Sequence, residues 1–208
     1  CIDLEQEIRG LFKVFGVKLP SKLGHGAFDT HVRPLIEADE VLSQSLLPVL
    51  DVRLELYRTY RELDNRTRHL AEQDPVCQRF MTAPGVGFVT ALTYKSGVDD
   101  PMRFKRSRTV GAHFGLTSRR HQSGEVDFDG HISRCGDAAV RTALYTAANA
   151  LLTRSSKWSS LKAWGMKVAK KRGHKKAVIA VARKLAVILH RMWIDDTQFR
   201  WGTEVARS

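Results

Sequence analysis

Apolar residues recur at helical spacing along most of the chain. Ile8, Leu11 and Phe12 belong to a stripe that predicts a first helix over residues 1–14, followed by a turn-rich linker. A second helical region is predicted from about Pro34 to Gln73. Apolar faces over 138–153, 161–171 and 174–195 predict three more helices, the first of them capped by Asp137. The pattern is typical of a mainly α-helical protein.

The region 34–74 forms a predicted helical arm in which apolar residues alternate at steps of four and three. That spacing keeps one stripe of a helix against a partner helix, as in a coiled coil. Pro48 is expected to kink or restart the helix. An amphipathic helix packed on its own domain has the same pattern. The stripe consists of Leu42, Leu46, Val49, Arg53, Leu56, Tyr60, Leu63, Thr67 and Leu70.

Two short helices joined by Gly85, Val86 and Gly87 are predicted around residues 80–92, as in a helix-hairpin-helix. Glycines allow backbone amides and a helix N-terminus to approach a phosphate closely. Such contacts bind DNA without reading its sequence. A tight turn between two core helices would account for the same residues.

An arginine-rich stretch follows, from Arg103 to Arg141. Phe104, Val110 and Phe114 predict a helix that leaves its basic neighbours in solvent. Further along, the alternation of apolar and acidic residues predicts a small β-hairpin over 119–132, with its turn at Asp129-Gly130.

Ser123 is expected at the start of this hairpin, beside Arg119 and Arg120. A hydroxyl nucleophile close to guanidinium groups is suited to attack on a phosphodiester, because the cations hold the phosphate and stabilise developing charge. A hairpin that only grips phosphate is the alternative. Arg134 and Arg141 are the further cations expected near the serine, and Ser118 and Ser133 are weaker candidates for the nucleophile.

Charge is distributed unevenly along the chain. The net charge is +12, and it combines a balance of −3 over residues 1–75 with one of +15 over residues 76–208. A basic excess of this size favours a polyanionic partner, with nucleic acid the first candidate. The clustered cations at 170–176 fit phosphate contact better than a merely solvated loop. A helical interaction protein whose charge serves only solubility does not explain the division.

Cysteine spacing and hydropathy exclude other classes. Cys1, Cys77 and Cys135 lack paired spacing, which argues against a disulfide framework and a cysteine-based zinc site. His121 and His131 with Cys135 are a weak metal candidate. A magnesium site of a metal-dependent nuclease is another interpretation, with Glu125, Asp127 and Asp129 as its ligands. Acidic residues in this pattern more commonly mark a solvated strand edge. No apolar run reaches the ~20 residues that span a bilayer, so we expect a soluble cytoplasmic protein without a membrane partner.

Six short motifs occur in one order that resembles the C-terminal, serine-containing domain of the one-ten, one-sixteen and nine-oh-two family of insertion-sequence transposases. The resemblance is close over roughly residues 78–155. The motifs are Pro84-Gly85-Val86-Gly87, Phe104 with Ser107, Gly115-Leu116-Thr117, Gln122-Ser123-Gly124, Gly130-His131-Ile132-Ser133, and Gly136-Asp137 with Arg141.

The resemblance implies a DNA recombinase guided by a structured RNA and assembled as an oligomer through the helical arm. It assigns Ser123 as the nucleophile and implies a bacterial, nucleoid-associated protein. Family members also carry an N-terminal acidic nuclease-like domain that binds magnesium. The chain resembles the part downstream of that domain, so we expect it to bind DNA, to hold no cofactor itself and to be inactive alone.

The predicted organisation is therefore an N-terminal helix and linker over 1–33, the coiled-coil-like arm over 34–74, and a compact basic transposase domain over 75–208. A non-catalytic DNA-binding module is the main alternative. The predicted DNA-binding residues are Gly85, Val86, Gly87, Arg103, Lys105, Arg106, Arg108, Arg119, Arg120, Arg134, Arg141, Lys170, Lys171, Arg172, Lys175 and Lys176.

Overall fold

The computed structural model describes residues 1–123 and 126–202, with side chains described outside 120–129. The described residues form nine α-helices and one two-stranded sheet, so the prediction of a mainly α-helical fold with a small β-hairpin is confirmed. The chain divides into two compact units, Cys1–Arg66 and Thr67–Ser208.

The first unit is built from α1 (Ile2–Val14), α2 (His25–Glu37) and the first part of α3 (Glu40–Gln73). Their apolar faces share one buried cluster, to which α1 contributes Ile8 and α2 contributes Phe28 and Val32. The sequence pattern predicts a linker in the region where the structure has the first part of α2. The apolar residues of α2 at positions 28, 32 and 36 are buried at helical spacing, and their burial stabilises a helix that contains Pro34 in its interior.

The apolar stripe of α3 changes character along the helix. Leu42 and Leu46 are buried in the cluster of the first unit, whereas Leu56 and Tyr60 are 48% and 59% exposed. The first turns of the stripe therefore pack on the chain's own helices, as the amphipathic alternative predicts. The later positions of the stripe are the ones that lie exposed.

Arg53, which interrupts the stripe, is completely buried in the first unit. Its Nε donates to Glu5 Oε1 at 3.0 Å, and a second guanidinium nitrogen donates to the same carboxylate and to the His25 carbonyl. The guanidinium carbon lies 5.1 Å from the ring centroids of both Phe28 and Tyr57. Arginine at this position therefore serves an internal ion pair.

The second unit contains α4 (Pro75–Met81), α5 (Phe88–Val98), α6 (Val110–His113), α7 (Ala138–Thr153), α8 (Ser160–Arg172) and α9 (His174–Ile194). Helix α9 carries much of the core, and Val178, Val181 and Leu185 are all fully buried. The Tyr94 hydroxyl of α5 donates to the Ala186 carbonyl at 2.6 Å, which ties two core helices together.

Local capping fixes where two of these helices begin. The Asp137 carboxylate accepts from the amides of Ala139 and Val140, as predicted for the start of α7. Asp74 caps α4 in the same way and also pairs with Lys95 of α5. Burial alone would raise the pKa of Asp74, but the hydrogen bond from Lys95, the amide donors and the lysine charge lower the pKa overall.

The hairpin consists of β1 (Ser118–Ser123) and β2 (Val126–Ile132), paired antiparallel. The predicted turn at Asp129-Gly130 is wrong, because both residues belong to β2 and Asp129 pairs with Arg120. Ser123 pairs with Val126, so the connection falls at residues 124–125, which lie outside the described residues. The register shifts between Ser118 and Arg120, which marks a local irregularity at the base of the hairpin.

The helix predicted over the arginine-rich residues after Pro101 is also wrong. Two single 3-10 turns, Pro101–Arg103 and Ser107–Thr109, precede the four-residue α6. Phe104 has extended backbone angles and breaks the continuity. The segment is held by long-range contacts to α9, and these override its local helical pattern.

Candidate nucleic-acid interface

A groove of about 510 Å³ runs between α8, α9 and the base of the hairpin. Five cationic side chains line it, all of them exposed, and the described part of its lining contains no acidic side chain. Between the cations lie half-buried apolar groups, including Trp164, Ile179 and Val187. The cations are Arg108, Arg172, Lys176, Arg183 and Lys184. This is the charge pattern of a surface that binds polyanions.

A second cleft adjoins the groove and shares Arg108 and Val187 with it. It adds the cations Lys105, Arg106 and Arg191. The two clefts form one continuous surface, which we call the α9 basic face. Along α9, its members at positions 176, 180, 183, 187 and 191 are spaced by three or four residues, so they lie on one side of the helix while the other side fills the core.

His190 fixes the arginine-rich segment against α9. It is fully buried, and its Nε2 donates to the Pro101 carbonyl at 2.9 Å while Nδ1 lies 3.0 Å from the Ser107 hydroxyl. The Phe104 ring packs edge-on against the imidazole. These contacts bring Lys105, Arg106 and Arg108 to the basic face with their side chains in solvent. Arg103 is also exposed, and its guanidinium lies over the Phe104 ring.

Three of the predicted cations gather at the base of the hairpin. Arg119 donates to the Ser133 carbonyl at 3.2 Å, and Arg141 Nη1 donates to the carbonyls of Phe114 and Cys135 at 3.2 and 3.0 Å. Arg134 is exposed and has a positive φ of 56°. Arg141 therefore holds two chain segments together, and its carbonyl contacts satisfy part of its donor capacity.

The segments joined by Arg141 cross closely at Gly136. A Cβ at this residue would meet the His113 carbonyl oxygen at 2.1 Å, and its φ is +72°. Only glycine fits both conditions. The Gly136-Asp137 motif therefore has a structural reason: it allows the crossing and then starts α7.

Ser123 lies at the far end of β1, next to the connection between the strands. Along an extended strand, four residues span about 13 Å, and this separates Ser123 from Arg119. The expected position beside Arg119 is therefore wrong, because the two residues lie near opposite ends of the extended strand β1. The side chains of Ser123, Arg120, His121, Asp127 and Asp129, and all of Glu125, lie outside the described residues.

The Gly85–Gly87 turn joins α4 to α5, as predicted, but its residues face different surroundings. A Cβ on Gly85 would meet the Ala147 carbonyl oxygen of α7 at 2.2 Å, and Val86 is buried. Gly87 has open space around its Cα and precedes the first turn of α5. The turn thus touches the α7 backbone at Gly85 and enters the core at Val86, while Gly87 and the amides after it face open space.

The basic turn at 170–176 joins α8 to α9 through Gly173. Lys170, Lys171 and Arg172 occupy the last turn of α8, where cations suit the helix dipole. Lys175 and Lys176 occupy the first turn of α9, where cations oppose the dipole. All five are exposed, and Arg172 and Lys176 reach the groove.

Arg183, Lys184, Arg191 and Trp164 were not among the predicted site residues. The sequence does contain a pattern that indicates the three cations, since they follow Lys176 at helical spacing on α9. Trp164 lies on α8, and the Lys184 ammonium is 4.0 Å from its ring centroid.

Cysteines, metal-binding groups and membrane spans add little to this interface. Burial raises the pKa of the Cys77 thiol to about 11, and the Asp74 charge acts in the same direction, whereas Cys1 and Cys135 are exposed. Among the described side chains, no three histidine, cysteine or acidic groups come together as a metal site. None of the described helices is both long and apolar enough to cross a bilayer.

Comparison with known proteins identifies related chains. Residues 77–163 match the family described as Transposase IS116/IS110/IS902 family. The chain is 32% identical to the transposase for insertion sequence element IS1111A of Coxiella burnetii, over 96% of this chain and 56% of the relative. It is 27% identical to a probable family 20 transposase of Pseudomonas aeruginosa, over 94% of this chain and 60% of that protein. A Yersinia enterocolitica transposase for the element IS1328 is 34% identical over 66% of this chain and 40% of its own length.

Proposed function

Because the chain belongs to the IS116/IS110/IS902 transposase family through residues 77–163, we propose that it acts on DNA in transposition, with the α9 basic face as its nucleic-acid interface. The observation that carries this proposal is the run of exposed cations along α9 and its neighbouring cleft, without an acidic side chain in the described lining. The chain spans roughly half to three-fifths of the two relatives that it matches along most of its length, so the activity of the whole protein is part of the proposal.

The catalytic part of the proposal assigns Ser123 as the nucleophile, on the family motif Gln122-Ser123-Gly124. Its Oγ would attack a DNA phosphorus and form a phosphoserine ester, while the displaced strand leaves as a hydroxyl and takes up a proton. A hydroxyl of a second strand would then attack the same phosphorus and restore the serine. Each step exchanges one phosphate ester for another, so it needs no external energy source.

Covalent capture tests this assignment. The chain, alone and joined to an acidic N-terminal domain, would be incubated with labelled DNA, a guide RNA and magnesium, and then run on a denaturing gel. We expect a DNA–protein adduct that disappears in Ser123→Ala. Ser133→Ala is a matched control, because Ser133 lies at the base of the hairpin. An adduct that persists in Ser123→Ala would contradict the assignment.

A non-catalytic DNA-binding module is the second candidate, and one observation favours it. Arg119 and Arg141, two of the cations expected to activate Ser123, lie at the base of the hairpin and donate to backbone carbonyls. Salt-sensitive DNA binding without any adduct, in either form of the protein, would support this reading. The magnesium-nuclease alternative depends on Glu125, Asp127 and Asp129, whose side chains lie outside the described residues.

The proposed partners follow from the family. A structured guide RNA would supply sequence choice by base pairing while the protein reads backbone and shape. Magnesium would belong to the acidic domain of the whole protein. A second copy would pair through the later positions of the α3 stripe, since Leu56 and Tyr60 are exposed at coiled-coil spacing.

A further inference from the structure

The groove between α8 and α9 combines two surfaces of different chemistry. Its rim carries the cations, and Arg172, Lys176 and Arg183 are exposed there. Its floor is apolar and half-buried, formed by groups such as Trp164, Val168 and Ile179. A site for phosphate alone needs only the rim. The apolar floor calls for a ligand that also brings a flat, weakly hydrated surface.

Paired and unpaired nucleic acids differ in that respect. The outside of a duplex presents phosphates and sugars, because its bases are stacked inside. An unpaired strand presents its bases as well, and these stack on aromatic side chains while a basic groove follows the backbone. We propose that this groove holds unpaired nucleotides, with the phosphates on the cationic rim and a base against the floor at Trp164.

The contact between Lys184 and Trp164 gives this site a specific feature. In the free protein the ammonium lies 4.0 Å from the ring centroid, where the ring's negative face attracts it. A base that stacks on this face takes the place of the ammonium. Lys184 is then free to meet the phosphate of the same nucleotide, so one side chain protects the ring before binding and contributes charge afterwards.

The position of the groove links it to the hairpin. Ser118 and Ile132, the residues that pair at the base of the hairpin, belong to its lining. Ser123 lies five residues further along β1, which is about 16 Å for an extended strand. At its volume of about 510 Å³ the groove suits one or two nucleotides. A strand held here would therefore be unpaired close to the hairpin that carries the proposed nucleophile.

This inference rests on the proposed function, namely that the α9 basic face binds nucleic acid. The test uses the whole chain with fluorescently labelled strands of about 12 nucleotides, single-stranded and duplex, each as DNA and as RNA. Trp164→Leu removes the ring. Lys176→Gln with Arg183→Gln removes two rim charges. Arg154→Gln with Lys167→Gln, two exposed cations outside the groove lining, is the charge-matched control.

We expect Trp164→Leu to weaken single-strand binding about tenfold and to leave duplex binding nearly unchanged. The rim variant should weaken both, and the control neither. In the unmodified chain, single strands should quench tryptophan fluorescence, and the quenching should shrink in Trp164→Phe, a milder change that guards against misfolding. The preference of DNA over RNA, or the reverse, identifies the source of the strand.

Two results would overturn the inference in distinguishable ways. If the rim variant weakens binding while Trp164→Leu affects single strands and duplex alike, and no quenching is lost in Trp164→Phe, the groove binds backbones only. The proposed function then stands. If the rim variant changes nothing, the groove is not the interface, and the proposed function loses its main support as well.

Discussion

At the scale of single residues, the structure separates positions that serve packing from positions that are free to serve binding. Gly85 and Gly87 belong to one motif, yet only Gly85 touches another helix. Arg141 and Arg108 are both cations of the arginine-rich stretch, yet Arg141 bridges backbone carbonyls while Arg108 faces the groove. A family motif therefore mixes folding and functional requirements, and mutation can tell them apart.

Substitution of the two glycines tests this separation. Gly85→Ala should lower the free energy of unfolding by about 2–5 kcal/mol, because φ is +83° and the added Cβ meets the α7 backbone. Gly87→Ala should change it by less than about 0.5 kcal/mol, since the space around Gly87 is open. Urea unfolding followed by circular dichroism measures both. Equal losses would show that the turn is not packed on α7 as described.

These residue-scale roles could be predicted only in part. The Asp137 cap and the apolar face of α7 depend on neighbours within one or two turns, so the sequence contains all of the information. The position of the hairpin turn cannot be predicted from neighbouring residues in this way. Asp129-Gly130 has the composition of a turn, but the strand register puts it within β2. The predicted closeness of Ser123 to Arg119 fails because both residues belong to the extended strand β1.

At the scale of elements, long-range contacts determine which segments form helices where the local sequence pattern is ambiguous. Helix α2 forms despite Pro34, because Phe28, Val32 and Ile36 are buried together. The arginine-rich segment loses its predicted helix, because His190 of α9 holds Pro101 and Ser107 from a distance of more than eighty residues along the chain. In the sequence, Arg53 only interrupts the apolar stripe of a predicted coiled coil. In the structure, it pairs with Glu5 of α1, and this contact explains the arginine.

The buried pair of Arg53 and Glu5 gives a prediction about α1 and α3. Arg53→Met should destabilise the first unit by about 3–5 kcal/mol, because it removes the guanidinium that pairs with the buried Glu5 carboxylate. Arg33→Met, which removes a more exposed pair with Asp29 and Asp51, should cost less than about 1 kcal/mol. Thermal unfolding of the two variants measures the difference.

The loss of stability in acid should be smaller in Arg53→Met than in the unmodified chain. Burial alone would raise the pKa of Glu5, but hydrogen bonds from His25 and Arg53 and their charges lower it overall. The unmodified chain should therefore lose this stabilisation as the pH falls through the lowered pKa. Without Arg53, burial raises the pKa of Glu5 with less opposition. A fall in pH should therefore cost the variant less stability, or even add some. Parallel pH profiles would contradict this account.

At the scale of the whole molecule, the change in charge along the chain falls close to the boundary between the two compact units. The first 75 residues carry a balance of −3 and the rest a balance of +15, and the compact units divide at Arg66 and Thr67. The overall charge division was visible in the sequence. The arrangement of the cations was not, because it depends on which side of α9 the core covers.

Separate expression of the two units tests their independence. Residues 67–208 should fold and bind DNA with an affinity that falls steeply as salt rises, since the whole of the basic excess lies there. Residues 1–66 should not bind. Titrations of labelled DNA at several salt concentrations measure both. Binding by the first unit, or salt-insensitive binding by the second, would contradict the assignment of the interface.

The contrast between the cysteines makes the hairpin base open to direct observation. Cys77 is buried and its thiol pKa is raised to about 11, so at neutral pH it stays protonated and inaccessible to thiol reagents. Cys135 is exposed and lies beside the crossing at Gly136. Once Cys1 is replaced by serine, a dye or spin label attaches at Cys135 alone. A reporter at this place would register the arrival of a strand without any change to the basic face.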